Sequence, residues 1–386
     1  MADTSSTPET CAITVLVIGA SGYLGAGVCN AFLRGTGSPP GSRQFRVYGL
    51  VRRESAAQAL AAAEVIPIIG SLSDRDALRD NLLSHSPIWD VIVTCTEPSR
   101  ADPDAEDRHW EDILTLVQGL AASSVARGSR TLVLWSSGCK DYGATALHGA
   151  SDLAPHTEDS PLQMHPIIRG RTEWAVRATE ASTADNGAAG FDVAIIRATP
   201  MCGYSASYYG GLFDYAAASA AAVSSTKEPK VLKFSTDPNT IMHDLHLDDS
   251  ADGYLALANA ALFGGDDPEH GRPAVAGQAF NISGRRYQTL REVGTALAKE
   301  YGFDGGAQFG VPVEELPVKP GPTFSLVVGW SQWVGSEKIR KVTGWTDRRP
   351  LLAENLHVYR LAYEAAVGAG HSNVDAVKKR LAGDWN

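Results

Sequence analysis

Short apolar runs recur along the first three-quarters of the chain, each bounded by glycine or polar residues. Ile13–Ile18 is the first. It is rich in β-branched residues and meets glycine at once, as a strand buried on both faces should. Similar runs at 45–51, 65–69, 91–94, 131–135, 193–197 and 279–282 predict six more strands. Stretches of helical character separate most of them, at 26–33, 56–63, 74–83 and 110–126. Strands that alternate with helices predict βαβ units, hence an α/β protein with a doubly wound parallel sheet of Rossmann type. Glycines and prolines at 35–41 predict a loop after the first helix.

After the sixth strand the pattern changes. Tyr204, Tyr208 and Tyr209 lie in a Gly- and Ser-rich stretch, followed by an Ala-rich helix at 215–223. Beyond the seventh strand come a helix at 290–301, a Pro-rich loop at 316–322 and a final helix at 351–367. This predicts a cofactor-binding domain over 12–200, with strand 279–283 returning to its sheet. Residues 201–278 and 284–386 are then a smaller, discontinuous C-terminal substrate lobe. The lobe would cover the carboxyl ends of the strands, where ligands bind in open α/β sheets. The first dozen residues and the last few are expected to be mobile.

Composition narrows the function. Of 386 residues, 44% are hydrophobic, enough for a large core. The net charge of −10 argues against a nucleic-acid binder. Five cysteines without a CxxC spacing argue against a disulfide scaffold or zinc ribbon and suit a reducing compartment. No run of ~18 apolar residues predicts a membrane span. The opening MADTSSTPET lacks a basic and apolar leader. A cytoplasmic protein is expected, with a small-molecule substrate, no nucleic-acid or membrane partner, and a homodimer left open.

The first strand runs into Gly19-Ala20-Ser21-Gly22-Tyr23-Leu24-Gly25, which opens the first helix. Glycines at 19 and 22 permit a tight turn and close approach to a pyrophosphate; Gly25 lets the helix lie on the sheet. The helix N-terminus offers free N–H groups to phosphate. At the end of strand two, Arg52 and Arg53 stand where an acidic residue would bind the ribose hydroxyl of NAD. Two guanidiniums suit a 2′-phosphate, so NADP(H) is the expected cofactor.

The G-x-x-G-x-x-G spacing resembles the extended short-chain dehydrogenase/reductase family, the NAD(P)-dependent epimerase/dehydratase-like proteins. Ser136-Ser137 after strand five, Tyr142-Gly143, Arg197 with Pro200 and Gly203, the segment His243–Asp249 and Asn281-Ile282-Ser283 follow in the order that the family has them. The resemblance implies cofactor contacts from Gly19, Ser21, Gly22, Tyr23, Leu24, Gly25, Ser71, Leu72, Thr94, Thr96 and Pro200, and from the residue at its Lys position. It also implies a Tyr-x-x-x-Lys pair in the helix before strand six. Glu173 sets the register there, and places His165 at the Tyr position and Arg169 at the Lys position. His exchanges protons near neutral pH, whereas Arg holds oxygens without releasing a proton. His165 is thus either an acid/base group or a surface histidine.

Ser137-Gly138-Cys139-Lys140-Asp141-Tyr142 resembles the loop of the plant progesterone-reductase and iridoid-synthase group, in which the Lys sits after strand five. That likeness implies that Lys140 replaces the helix Lys, with Ser137 orienting a substrate oxygen and Tyr142 near by. Tyr204, Tyr208, Tyr209 and His243 are candidate substrate contacts. Among His243, Asp244, His246, Asp248 and Asp249 no metal site is expected, because a strand points 243 and 246 to opposite faces and Asp248 or Asp249 should cap the next helix. Trp330, Trp333 and Trp345 are expected to be packing residues, and Cys139 and Cys202 lack a partner for nucleophilic work. The expected activity is NADPH-dependent reduction of a carbonyl or conjugated enone. A redox-neutral isomerase, epimerase, dehydratase or cyclase on the same scaffold, or a non-catalytic NADP(H) binder, are the alternatives.

Overall fold

The computed structural model describes residues 12–35, 44–98, 102–184, 189–225 and 228–383. The loop expected after Gly35, and nearly all of the terminal segments expected to be mobile, lie outside the described residues. Seven strands form one sheet: β1 (Ile13–Ile18), β2 (Phe45–Val51), β3 (Ile66–Ile69), β4 (Val91–Thr94), β5 (Thr131–Gly138), β6 (Phe191–Ala198) and β7 (Ala279–Ile282). All pairs are parallel, in the order β7-β6-β5-β4-β1-β2-β3. The order reverses between β1 and β4, which opens a crevice at their carboxyl ends.

Helices α1 (Tyr23–Gly35), α2 (Glu54–Ala62), α3 (Arg75–His85), α4 (Pro103–Val125) and α5 (Arg169–Thr183) make the crossovers. Successive β1 residues feed opposite faces. Val15 and Val17 join one core with Phe32, while Leu16 and Ile18 join the other with Trp110 and Trp135. After β6 come α6 (Gly210–Ala222), α7 (Leu247–Phe263) and α8 (Arg272–Val275). After β7 come α9 (Leu290–Glu300), α10 (Pro322–Gly329), α11 (Glu337–Thr343), α12 (Leu356–Gly368) and α13 (Ser372–Leu381). A third core joins Leu212, Phe213, Leu297, Phe324, Tyr359 and Val377, from α6, α9, α10, α12 and α13.

Three expectations change. Tyr254 and Leu257 of α7 and Ile339 of α11 belong to the first sheet core, so the lobe is narrower than 201–278 and 284–386. The helix expected last is not last, since α13 follows it and buries Val374, Val377 and Leu381. The cap of α7 is His246, whose Nδ1 accepts the Asp248 N–H at 3.1 Å, rather than either aspartate.

Candidate active site

The crevice starts at the loop between β1 and α1. Gly19 has φ +84°, and a Cβ there would lie 2.7 Å from the Cys95 carbonyl oxygen and 2.8 Å from the Thr96 methyl. A Cβ on Gly25 would run into the Gly19 carbonyl. Gly22 donates its N–H to Gly19 O at 3.0 Å. The turn therefore brings bare backbone to the N-terminus of α1, with Ser21 exposed at its tip and Leu24 packed on the sheet core. The Tyr23 hydroxyl donates to the carbonyls of Cys202 (2.8 Å) and Gly203 (2.7 Å), which ties α1 to the loop after β6.

Arg52 and Arg53 are exposed at the end of β2, and among the described residues neither guanidinium forms a hydrogen bond or ion pair. Arg52 faces His109, whose ring bonds the Thr96 hydroxyl at 2.7 Å. Burial and then the Arg52 charge push His109 down to about 4. A glycine cradle and a helix N-terminus fit the phosphates of a pyridine dinucleotide.

At the carboxyl end of β5 lies a carboxylate that sequence reasoning missed. Asp141 is fully buried. It accepts from the Ser137 hydroxyl, from Arg171 at 2.7 Å and from Thr172 at 3.0 Å, with Arg197 3.5 Å away. Arg171 comes from α5, two residues beyond the position expected to act. Because Ser137 donates to Asp141, its oxygen keeps lone pairs for another donor.

Next to this cluster a cavity of about 520 Å³ opens between the loop 143–144, residues 163–166 and α10. Its lining is Gly143, Ala144, Gln163, His165, Pro166, Ser325, Leu326, Gly329 and Trp330. The His165 and Trp330 rings meet edge-on, with centroids 4.7 Å apart. The Lys140 ammonium sits over the Trp330 ring at 4.7 Å. Burial, then the neighbouring Arg171 charge against the opposing pull of Cys139, brings Lys140 down to about 8. His165 Nδ1 accepts the Ile167 N–H at 3.3 Å, which leaves Nε2 as the protonated nitrogen of the neutral ring. Trp330, expected only to pack, is thus a wall of the cavity.

A family model matches residues 15–290. The chain belongs to the NAD dependent epimerase/dehydratase family. Solved structures share the family fold. A dTDP-glucose 4,6-dehydratase from Bacillus anthracis, in complex with NAD, is 15% identical with a TM-score of 0.63, over 92% of this chain and 97% of that one. A UDP-glucose 4-epimerase from Bifidobacterium longum, with NAD+ and UDP, is 17% identical with a TM-score of 0.59, over 94% and 99%. A dTDP-glucose 4,6-dehydratase from Streptomyces venezuelae is 19% identical with a TM-score of 0.61, over 92% and 98%. No curated protein matches the chain.

Several residues expected at the site of this epimerase/dehydratase-family protein have partners within the protein. Arg169 is exposed on α5 and pairs with Glu173 at 2.6 Å, because the helix starts there and turns 169 and 173 outward together. Tyr142 is buried, bonded to Asn281 (2.8 Å) and Arg197 (3.0 Å), and burial pushes its hydroxyl up to about 12, so it is a strut under the sheet edge. Both ring nitrogens of His243 serve backbone, the Gly284 carbonyl (2.8 Å) and the Val334 N–H (3.1 Å), and burial holds it at about 4. Tyr209 packs in the lobe core. Tyr204 is half-exposed and bonds Asp248. The Thr94 hydroxyl accepts the Ser136 N–H at 3.1 Å. The Pro200 carbonyl accepts the Leu245 N–H at 3.0 Å, and Ser71 bonds Ser73 at 2.8 Å beside Leu72, which packs on the sheet. Tyr208 does reach the crevice, where it meets Glu97 at 3.3 Å. Glu97, just beyond Thr96, also takes Arg380 of α13 at 2.6 Å. No helix among the described residues is long and apolar enough to cross a membrane.

Proposed function

We propose that this protein is an NADPH-dependent oxidoreductase that reduces a carbonyl or conjugated enone of a small organic molecule. The observation that carries this reading is a pair of proton-bearing groups that meet the same Trp330 ring, His165 in the lining of the cavity and Lys140 next to it. His165 presents an N–H rather than a lone pair, and Lys140 is an ammonium that burial has made readier to give up its proton. Donors suit the oxygen of a carbonyl that is gaining charge, while abstraction of a carbon-bound proton needs a base. The lining residues include no carboxylate.

The nicotinamide supplies a hydride when bound. The chain's own part is to bind, orient and protonate. The β1–α1 turn holds phosphate through backbone N–H groups. Arg52 and Arg53 select a 2′-phosphate. Asp141 fixes Ser137, so that its oxygen receives rather than gives a hydrogen bond. Lys140 and His165 hold the substrate oxygen, and one of them delivers the proton.

The test is NADPH absorbance with a panel of enones, ketones and alcohols, run in parallel with NADH. The expected result is turnover that prefers NADPH. Cofactor that binds and is never consumed would move the protein to a redox-neutral reaction. Equal use of NADH would remove the role given to Arg52 and Arg53.

A further inference from the structure

We infer that Gln332, in the segment that follows α10, is the positioning residue for Lys140: it clamps the turn that carries Lys140 and so holds the ammonium on the Trp330 ring. The inference rests on the reading that gives Lys140 the proton, and it names what sets that group in place.

Lys140 sits in a short 3-10 turn, Cys139–Tyr142, at the end of β5. Such a turn makes few hydrogen bonds of its own; here the Lys140 carbonyl accepts the Gly143 N–H at 3.0 Å. The carbonyls of Cys139 and Gly143, on either side, both accept from Gln332 Nε2, at 2.8 and 2.9 Å. Gln332 Oε1 accepts the Cys139 thiol at 3.4 Å. Gln332 is 2% exposed, and its amide is spent on the residues that bracket Lys140.

The segment that carries Gln332 is extended. Gln332 bridges Met242, and Val334 bridges His156. In extended backbone, residues two apart point to the same side, so Trp330 faces the turn together with Gln332. The Lys140 ammonium lies over the Trp330 ring, 4.7 Å from its centre. Ser331, between them, serves other partners: its hydroxyl donates to the Ala146 carbonyl at 3.1 Å and accepts the Ile241 N–H at 3.2 Å. The charged and titratable groups about Lys140 are Cys139 and Asp141 of its own turn, Arg171 of α5, and His165 across the same ring. Of these, Gln332 bonds Cys139 alone, whose thiol burial pushes up to about 11 and so keeps neutral. Gln332 is itself uncharged. Its removal therefore acts on Lys140 through position and not through charge.

Competitive labelling of the full chain with acetic anhydride tests this without any substrate. Mass spectrometry follows the Lys140 peptide across pH, and the midpoint of its reactivity reads the proton affinity of Lys140. The expected midpoint in the unaltered protein is about 8. Gln332→Met keeps the length of the side chain and removes all of its amide bonds. The Cys139 and Gly143 carbonyls then lack a donor, and the turn opens to water. The midpoint should rise by about one pH unit or more, toward the 10.5 of an ordinary lysine. Gln332→Asn keeps an amide that is one methylene too short to bridge both carbonyls. It should give a smaller rise, and it carries the test if circular dichroism shows Gln332→Met unfolded. Ser331→Ala removes two hydrogen bonds from the same segment and should leave the midpoint where it was. A midpoint that the folded Gln332 variants leave unchanged would overturn the inference. So would an equal rise in Ser331→Ala, or a midpoint near 10.5 in the unaltered protein. A midpoint that moves as expected in a protein that never consumes NADPH supports the positioning role and sinks the oxidoreductase reading instead.

Discussion

Of the two residues that carry the proposed chemistry, Lys140 has a distinct signature. Lys140 keeps its ammonium below about pH 8, so kcat should fall as pH rises through that value. Lys140→Met should lower kcat about 10²–10⁴-fold, the usual worth of a general acid, with little change in NADPH affinity. A pH–rate profile that keeps its alkaline limb in Lys140→Met would assign the limb to another group. Arg169 makes the opposite case. Its guanidinium is exposed and spent on Glu173, so Arg169→Met should leave both kcat and the NADPH dissociation constant within about twofold. Steady-state kinetics and cofactor titration on the two variants separate these roles. The i, i+4 spacing from His165 to Arg169 was legible in the sequence. That α5 begins only at Arg169, and so turns the following Arg171 inward, was not.

Elements set the site through what they bury. The β1–α1 turn works because Gly22 has no side chain. A Cβ there would sit 3.2 Å from the Gly19 carbonyl, at the mouth of the helix N-terminus. Gly22→Val should abolish NADPH binding in a protein that still folds, as read by cofactor titration beside circular dichroism. At the other end of the crevice, Asp141 is the common acceptor for β5 and α5 and the partner of a β6 arginine. Asp141→Asn leaves Arg171 and Arg197 buried with no anion, a loss of about 3–5 kcal/mol by the usual cost of breaking a buried pair. Chemical denaturation should show it. Tyr142→Phe, which removes only a neutral hydroxyl bonded to Asn281, should cost less.

On the scale of the molecule, one ion pair ties the last helix of the lobe to the sheet. Arg380, near the end of α13, reaches Glu97 at the end of β4, and Tyr208 joins them from the lobe. Arg380→Ala should loosen the lobe, so protease resistance of the C-terminal helices should drop before global stability does. A pH effect on stability comes from Asp244. It is buried beside Cys202 and Gln288, and burial raises it from 3.8 to about 6. The folded protein holds a proton there that the unfolded chain releases. Stability from this group is therefore full below about pH 4 and declines as pH rises to about 6. Asp244→Asn should flatten that decline in thermal melts taken across this range.

The sequence by itself determined the sheet, the β1–α1 turn and the family, because those depend on local rules. Short β-branched runs bounded by glycine and polar residues read as buried strands, and glycines between strand and helix permit the tight turn that other residues would block. It also marked Lys140 and His165 by position. Only the tertiary structure decided their surroundings. Trp330 lies 190 residues from Lys140 in the chain, and nothing in its local pattern distinguishes a cavity wall from a packed core ring. Tyr142 and His243 had the right chemistry in the right segments, yet partners from distant strands and loops took up their polar atoms. Helix α13 escaped notice because its apolar positions are few among charged ones, and only contact with α6 and α10 makes them a core. Backbone preference acts over a handful of residues, whereas burial and hydrogen-bond partnership are settled by whatever the fold brings alongside.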